Sequence, residues 1–330
     1  MCLVGDYFHD PPKEMTLDKF KVIAGNMRLE RFDNVMLSGA GEPLINPHTL
    51  PIISYLNAEY PRVKVFLITN GIALTRELSG QLIHNNVSLL SFSVNAGTAA
   101  VYQRTMQVDA FDRVVENIRY YQELAKLTGK LEHVWMSFIA QRKNIEDLPN
   151  FVRLAHGLGV RLLVVRYARF YPRAQRLRLA LTGEAFLEDT DSLFYHQELS
   201  DKYFREARDL CRQWGMHFGN DNDPLFSEPV LVRKCHFPFT DILVGMDGEV
   251  FTCCGGEVLF KRKVASGEYD FGNLLKQKLE DFWGNDLWKA MRQSAANPNG
   301  VSIPECQTCG EQTMWRGHLK KCHILELEGK

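Results

Sequence analysis

The chain has 330 residues, 45% of them hydrophobic and 24% charged, enough to bury a core and close to the size at which one domain becomes two. A formal net charge of -1 offers no basic excess to attract nucleic acid or an anionic membrane, and no apolar run approaches the ~20 residues of a membrane-spanning helix. The opening residues have neither the basic stretch nor the apolar segment of a signal peptide, so the expectation is a cytoplasmic protein with no nucleic acid and no membrane among its partners.

Taken in chain order, residues 16–27 predict a helix with Phe20, Ile23 and Met27 on one face, and 34–37 a short apolar strand. Helix is expected over 48–59, strand over 63–68, helix over 75–84 and strand over 87–94. Phe111, Val114, Val115, Ile118, Tyr121 and Leu124 repeat at helical spacing, residues 133–139 read as strand, and Asn144 suits the N-cap of a helix ending near Gly157 or Gly159. Residues 161–165 are a fifth strand. Strands alternating with helices predict a parallel sheet with right-handed crossovers. The unit is too short for an eightfold barrel of ~250 residues, so a partial, open (β/α) barrel is expected, with ligands at the C-terminal ends of its strands. Residues 170–200 read as a solvated connector or, alternatively, a substrate lid. A helix over 201–214 places Tyr203, Ala207, Leu210, Cys211 and Trp214 inward, with Cys211 as a core thiol. Asp247-Gly248 between two β-rich runs predicts a hairpin over 240–253.

Polar turns close three successive strands. Ser38-Gly39-Ala40-Gly41-Glu42-Pro43 follows the first; its glycines admit a ligand close to the backbone, and Glu42 is an acceptor for an ammonium group. Thr69-Asn70-Gly71 closes the second. Ser93-Val94-Asn95 closes the third and is followed by Tyr102 and Arg104. Ser93 and Asn95 are expected on one side of the strand, where they suit a ribose or serve as local caps. Each segment alone reads as a turn; their position on one rim of one sheet is the signal.

In that order, LSGAGEPLINP, LITNG and SFSVNAGTAAVY resemble the strand-end motifs of radical S-adenosylmethionine (SAM) enzymes. The resemblance implies that Gly39, Gly41, Glu42 and Pro43 hold the methionyl amino group of SAM, that Asn70 lies on the same rim, that Ser93 and Asn95 lie near the ribose, and that Arg166 faces the SAM carboxylate. Asn95 stands where an acidic residue is common, and Met106 where an arginine often follows. The family signature C-x3-C-x2-C supplies three thiolates to a catalytic 4Fe–4S cluster whose open iron is chelated by SAM. Only Cys2 is present, in the setting of the third cysteine. The resemblance implies that Cys2 is the catalytic-cluster ligand and that two further cysteines and the first barrel strand lie upstream of Met1.

The chain has eight cysteines, seven of them beyond residue 210, which in a reducing compartment do not read as a disulfide framework. Cys235 and Cys253 bracket the expected hairpin as C-x12-G-x4-C, and Cys306-x2-Cys309 follows Pro304. Four thiolates in this arrangement favour structural zinc on spacing alone. With FGNL, DFW and IPECQTCG, however, the order resembles the SPASM or twitch auxiliary domain of radical SAM enzymes, which implies one auxiliary 4Fe–4S cluster on Cys235, Cys253, Cys306 and Cys309. Cys254 competes with Cys253; neighbours on a strand face opposite sides, and the glycine spacing favours Cys253. The expected fold is thus α/β: a partial (β/α)6-type barrel lacking its first strand (1–169), a connector with one helix (170–230), and a small cysteine-rich α+β auxiliary domain (231–330). The implied activity is reductive cleavage of SAM to a 5′-deoxyadenosyl radical that takes hydrogen from a peptide or small polar substrate, with a flavodoxin- or ferredoxin-like reductant as partner. Two alternatives are a degenerate single-cluster electron-transfer or binding protein and a zinc-stabilised binding module.

Overall fold

The computed structural model describes residues 14–39, 41–85, 87–130, 134–168, 189–219, 225–228, 235–253, 260, 263–296 and 303–304. Six parallel strands, β1 (Asn34–Leu37), β2 (Lys64–Thr69), β3 (Leu89–Ser93), β4 (Val134–Ala140), β5 (Leu162–Tyr167) and β6 (His217–Gly219), form one sheet in chain order. The helices are α1 (Leu17–Met27), α2 (Thr49–Glu59), α3 (Arg76–His84), α4 (Ala99–Met106), α5 (Phe111–Leu127), α6 (Leu148–Gly157) and α7 (Gln197–Gln213). A second, two-stranded antiparallel sheet joins β7 (Leu243–Val244) to β8 (Val250–Phe251), flanked by α8 (Phe237–Thr240), α9 (Leu279–Phe282) and α10 (Asp286–Ala296). No described helix is long and apolar enough to cross a membrane.

The alternation within each strand separates two faces of the parallel sheet. Leu67, Leu90, Phe92, Met136, Phe138, Leu163 and Val165 are fully buried. They face the helices: Phe92 meets Tyr121 of α5 edge-on, Phe138 packs on Phe151 of α6, and Tyr167 packs on Phe204 of α7, with ring centroids 4.9–6.1 Å apart. This face supplies most of the hydrophobic stabilisation. The residues in between, Met36, Phe66, Ile68, Ser93, Ser137, Ile139, Val164 and Arg166, turn away from the helices. They are only half-buried, and Met36 is 52% exposed. A parallel sheet clothed by helices on one face and open on the other is a partial (β/α) barrel.

The expected helices form, and Thr16 and Thr75 cap two of them by accepting from the amides of Lys19 and Leu78. Three features depart from the sequence reading. β6 is an additional strand; it is three residues long with a single large apolar side chain, too short to show a period. Asn144 does not cap a helix: its Oδ1 accepts from Gln141 N and its Nδ2 donates to Asn95 O and Ile139 O. It therefore pins two strand ends, and a 3₁₀ turn over Ile145–Asp147 precedes α6. On α7 the buried stripe is Ser200, Asp201, Phe204, Ala207 and Cys211. The stripe begins on polar residues because Asp201 accepts from Phe226 N and Ser227 N, and Tyr203, Leu210 and Trp214 are left half-buried at its edge.

Cys211 is 1% exposed, and burial pushes its thiol up to about 12. Because only the thiolate is nucleophilic, Cys211 is expected to resist iodoacetamide at pH 8 in the native protein and to react after denaturation. Peptide mapping of the alkylated protein checks this, and rapid native labelling at Cys211 would contradict the burial.

The chain divides into two compact units. One takes in the described residues within 32–170 and 184–229, the other those within 8–31 and from 230 onward. Helix α1, which the sequence reading assigns to the barrel region 1–169, thus groups with the C-terminal unit. Its Lys19 Nζ donates to Met246 O and Asp247 Oδ1 in the β7–β8 turn, and its Asn26 Nδ2 donates to Leu274 O. The hairpin turn itself forms as read from Asp247-Gly248, with Gly248 at φ 79°. The FGNL segment seals it: Leu274 N donates to Gly248 O and Val250 N to Gly272 O.

Candidate active site

The C-terminal ends of β1, β2 and β3 are joined by side chains of the three motifs. Glu42, in the turn after β1, is the hub. Its Oε1 accepts from Leu44 N at 3.1 Å and from Thr69 Oγ1 at 2.6 Å, and its Oε2 accepts from Asn70 N at 2.7 Å. A carboxylate has about four acceptor positions, so these three bonds leave one, on Oε2. Pro43 opens a 3₁₀ turn over Pro43–Ile45, where its missing N–H costs nothing. Gly39, at φ 143°, and Gly41 lie exposed beside it. Asn70 folds onto its own turn, its Oδ1 accepting from Ile72 N, and Thr69 Oγ1 accepts from Gly71 N. The Gly-Glu-Pro turn and the Thr-Asn-Gly turn are therefore one bonded unit.

Ser93 and Arg166 lie on the open face. Ser93 pairs in register with Ser137 of β4, whose Oγ donates to Ser93 Oγ at 3.4 Å. Arg166 pairs with Ile139, on the same side of the sheet. No carboxylate among the described residues forms an ion pair with Arg166. Asn95 does not continue the alternation that would set it beside Ser93. It takes a left-handed φ of 63°, a conformation Asn tolerates, and is only 4% exposed. Its Oδ1 accepts from Ile139 N at 2.7 Å and its Nδ2 approaches Met106 Sδ. Asn95 thus welds the end of β3 to β4, and Asn144 completes the weld. Beyond it, Asp147 Oδ2 accepts from Gly97 N, Thr98 N and Thr98 Oγ1, which fixes the turn into α4. Ser137 and Asp147 escape the sequence reading because they sit away from the motifs, and Asn144 enters it only as a helix cap. Parity with Ser93 inside a strand is the signal that singles out Ser137.

Of the expected metal ligands, Cys235 and Cys253 are described; both are half-buried. Cys235 leads into α8 and Cys253 follows β8. Cys2, Cys306 and Cys309 lie outside the described residues, as do Cys254 and Cys322.

Two family models match the chain: the radical SAM superfamily over residues 1–155 and the SPASM iron–sulfur cluster-binding domain over residues 235–310. The chain carries a radical SAM superfamily domain followed by a SPASM domain. Among curated relatives, the mycofactocin maturase MftC of Mycobacterium tuberculosis is 27% identical over 165 residues, 50% of this chain and 40% of that protein. A probable GTP 3′,8-cyclase of Saccharolobus islandicus is 30% identical over 128 residues, 39% of each. The chain thus spans about two fifths of the length of these relatives. Among solved structures, Streptococcus suis SuiB bound to its precursor peptide SuiA has a TM-score of 0.60 at 13% identity, covering 95% of this chain and 66% of that one. anSMEcpe with bound AdoMet and the Cp18Cys peptide has a TM-score of 0.62 at 11% identity, covering 94% and 91%. These likenesses establish the same fold.

Radical SAM proteins with this C-terminal domain use SAM and 4Fe–4S clusters, and the side chains present suit both. SAM offers an ammonium group, a carboxylate, a ribose and an apolar purine. The open rim offers an acceptor position of Glu42 and the cation of Arg166, neither taken by a described residue, the hydroxyls of Ser93 and Ser137, and the apolar Phe66, Ile68, Ile139 and Val164 on the same face. Cys235 and Cys253 are soft thiol donors of the kind that iron–sulfur clusters require.

Proposed function

We propose that this chain forms the catalytic core of a radical SAM enzyme that removes a hydrogen atom from a peptide substrate, and that it carries one auxiliary 4Fe–4S cluster. The observation that carries the reading is the open face of the parallel sheet. There Ser93, Ser137 and Arg166, which no described carboxylate pairs, gather beside the bonded strand ends of the radical SAM motifs. Glu42 and Arg166 would hold the two charged ends of the methionyl group of SAM, with Gly39, Gly41 and Pro43 shaping the turn, Asn70 locking it, and Ser93 beside the ribose. Asn95 would act from beneath by holding the β3 end rather than by touching the ribose. Cys2 would be a ligand of the catalytic cluster. Cys235, Cys253, Cys306 and Cys309 would hold the auxiliary one.

When bound, the reduced catalytic cluster and SAM together supply the 5′-deoxyadenosyl radical. The protein contributes position and exclusion of water: the substrate hydrogen must face the cofactor on the apolar sheet surface, where solvent cannot quench the radical. A peptide is favoured over a small polar molecule by the maturase relative and by the fold shared with enzymes solved with peptides bound. A flavodoxin- or ferredoxin-like protein would supply the electron.

The test is anaerobic reconstitution of the full-length protein made by its cell with iron and sulfide, followed by dithionite, SAM and quantitation of 5′-deoxyadenosine. Formation of 5′-deoxyadenosine and methionine is expected. An iron–sulfur cluster without SAM cleavage would reduce the protein to a single-cluster binding or electron-transfer role, and zinc without labile sulfide would make the C-terminal region a zinc-stabilised module.

A further inference from the structure

Arg292, on α10, has a guanidinium that is fixed on several sides and incomplete on one. It lies against the rings of Trp283 and Trp288, 4.2 and 5.3 Å from their centroids. Its Nε donates to Pro238 O at 3.1 Å and its Nη1 to Trp283 O at 2.9 Å. Its Nη2 is buried and has no acceptor among the described residues. Burial holds the guanidinium below its ordinary pKa, yet an arginine remains charged at any physiological pH. A charged donor sealed away from water without an acceptor is costly and rare, and native proteins that keep one have an acceptor or a function for it.

The position of the group indicates what that acceptor is. Pro238 lies in α8, three residues after Cys235, so the Nε bond ties α10 to the segment that starts with an expected cluster thiolate. The Trp283 carbonyl takes Nη1, and the two indole rings lie against the guanidinium.

We propose that Arg292 is a positioning residue for the auxiliary cluster: its Nε and ring contacts hold the Cys235 segment, and its Nη2 donates to a cluster sulfur, thiolate or sulfide. This rests on the cluster reading above but not on SAM cleavage. Hydrogen bonds to cluster sulfurs and nearby positive charge favour the reduced, more negative state and raise the reduction potential.

The experiment compares the full-length wild type, R292K and R292M, each reconstituted anaerobically with iron and sulfide. Adding SAM identifies the catalytic cluster by its changed EPR signal, so the auxiliary cluster can be followed separately. The expected results are a more negative auxiliary midpoint potential in R292M, a smaller shift in R292K, and loss in both of an exchangeable-proton coupling seen by ENDOR before and after transfer to D2O. If R292M fails to fold, R292K carries the test, because lysine keeps the charge but cannot reproduce the planar fork. A packing role alone would lower the cluster content and leave the potential and proton couplings of the remaining clusters unchanged, which overturns the proposal. A wild type that binds zinc without sulfide overturns it together with the cluster reading. A wild type that shows the coupling but makes no 5′-deoxyadenosine overturns the proposed reaction and leaves Arg292 in its assigned role.

Discussion

Replacing Gly97 with alanine is expected to destabilise the first unit by about 3 kcal/mol, the upper end of the usual cost of overpacking, and to depress SAM binding with it. Gly97 has an ordinary backbone conformation, so the reason for glycine is space. An added Cβ would fall on the backbone of Asn150 and Phe151 and 2.7 Å from Asn150 Cβ. Backbone cannot rotate aside as a flexible side chain can. Relief requires the β3–α4 turn to lift from α6, and that stretches the bonds from Gly97 N and Thr98 N to Asp147. Asp147 is 4% exposed, so its carboxylate would be left buried with fewer donors, a further cost. The same turn carries Asn95, and its displacement would disturb the β3 rim beside Ser93. Urea unfolding followed by circular dichroism measures the stability change, and equilibrium dialysis with labelled SAM measures binding. An unchanged midpoint would mean that α6 moves away from the turn at little cost.

The second large effect is expected at Glu42. Alanine there removes the acceptor for three donors in two motifs and strands the amides of Leu44 and Asn70. About 1–3 kcal/mol of stability should be lost through the unpaired amides. The functional loss should be larger, roughly a hundredfold in 5′-deoxyadenosine formation, because an ångström-scale shift of a positioning group costs that much. Glutamine keeps the shape, but its NH2 would face either the Leu44 amide together with the Thr69 hydroxyl or the Asn70 amide. The hydroxyl can turn to accept and neither amide can, so one amide is stranded in either orientation, where E42A strands two, and E42Q should fall between wild type and E42A. Anaerobic single-turnover assays of the three proteins check the order. Equal activity in E42A and wild type would show that the Gly-Glu-Pro turn holds its position without the carboxylate.

Both effects arise from contacts between segments distant in sequence, and such contacts mark the limit of what could be read from the chain. Apolar period told strand from helix for five of six strands in the sheet, because burial on one side imposes that period directly on the sequence. β6 was illegible since three residues contain no period. The Gly-Glu-Pro, Thr-Asn-Gly and Ser-Val-Asn turns were legible as a set, because each follows a strand and the strands of a parallel sheet end on one rim. The direction of the Asn95 side chain was not. Strand parity points it toward Ser93, whereas its left-handed backbone turns the amide into the sheet to satisfy Ile139 N. The N-cap expected of Asn144 failed for a related reason: its Oδ1, the atom a cap would use, accepts from Gln141 N instead, while its Nδ2 donates to the carbonyls of Asn95 and Ile139.

The sequence by itself determined the parallel α/β architecture, the radical SAM and SPASM domains and the chemical character of the C-terminal cysteines, since each is written in local period, spacing or residue type. Tertiary structure alone decided that Glu42 welds two turns while keeping one acceptor position, that Ser137 joins Ser93 on the open face, that α1 packs with the hairpin unit, and that Arg292 keeps a buried donor unspent. Each of these depends on which distant groups packing brings within hydrogen-bond reach, and a buried polar group takes whichever partner the fold supplies, because leaving it unpaired costs more than any local preference.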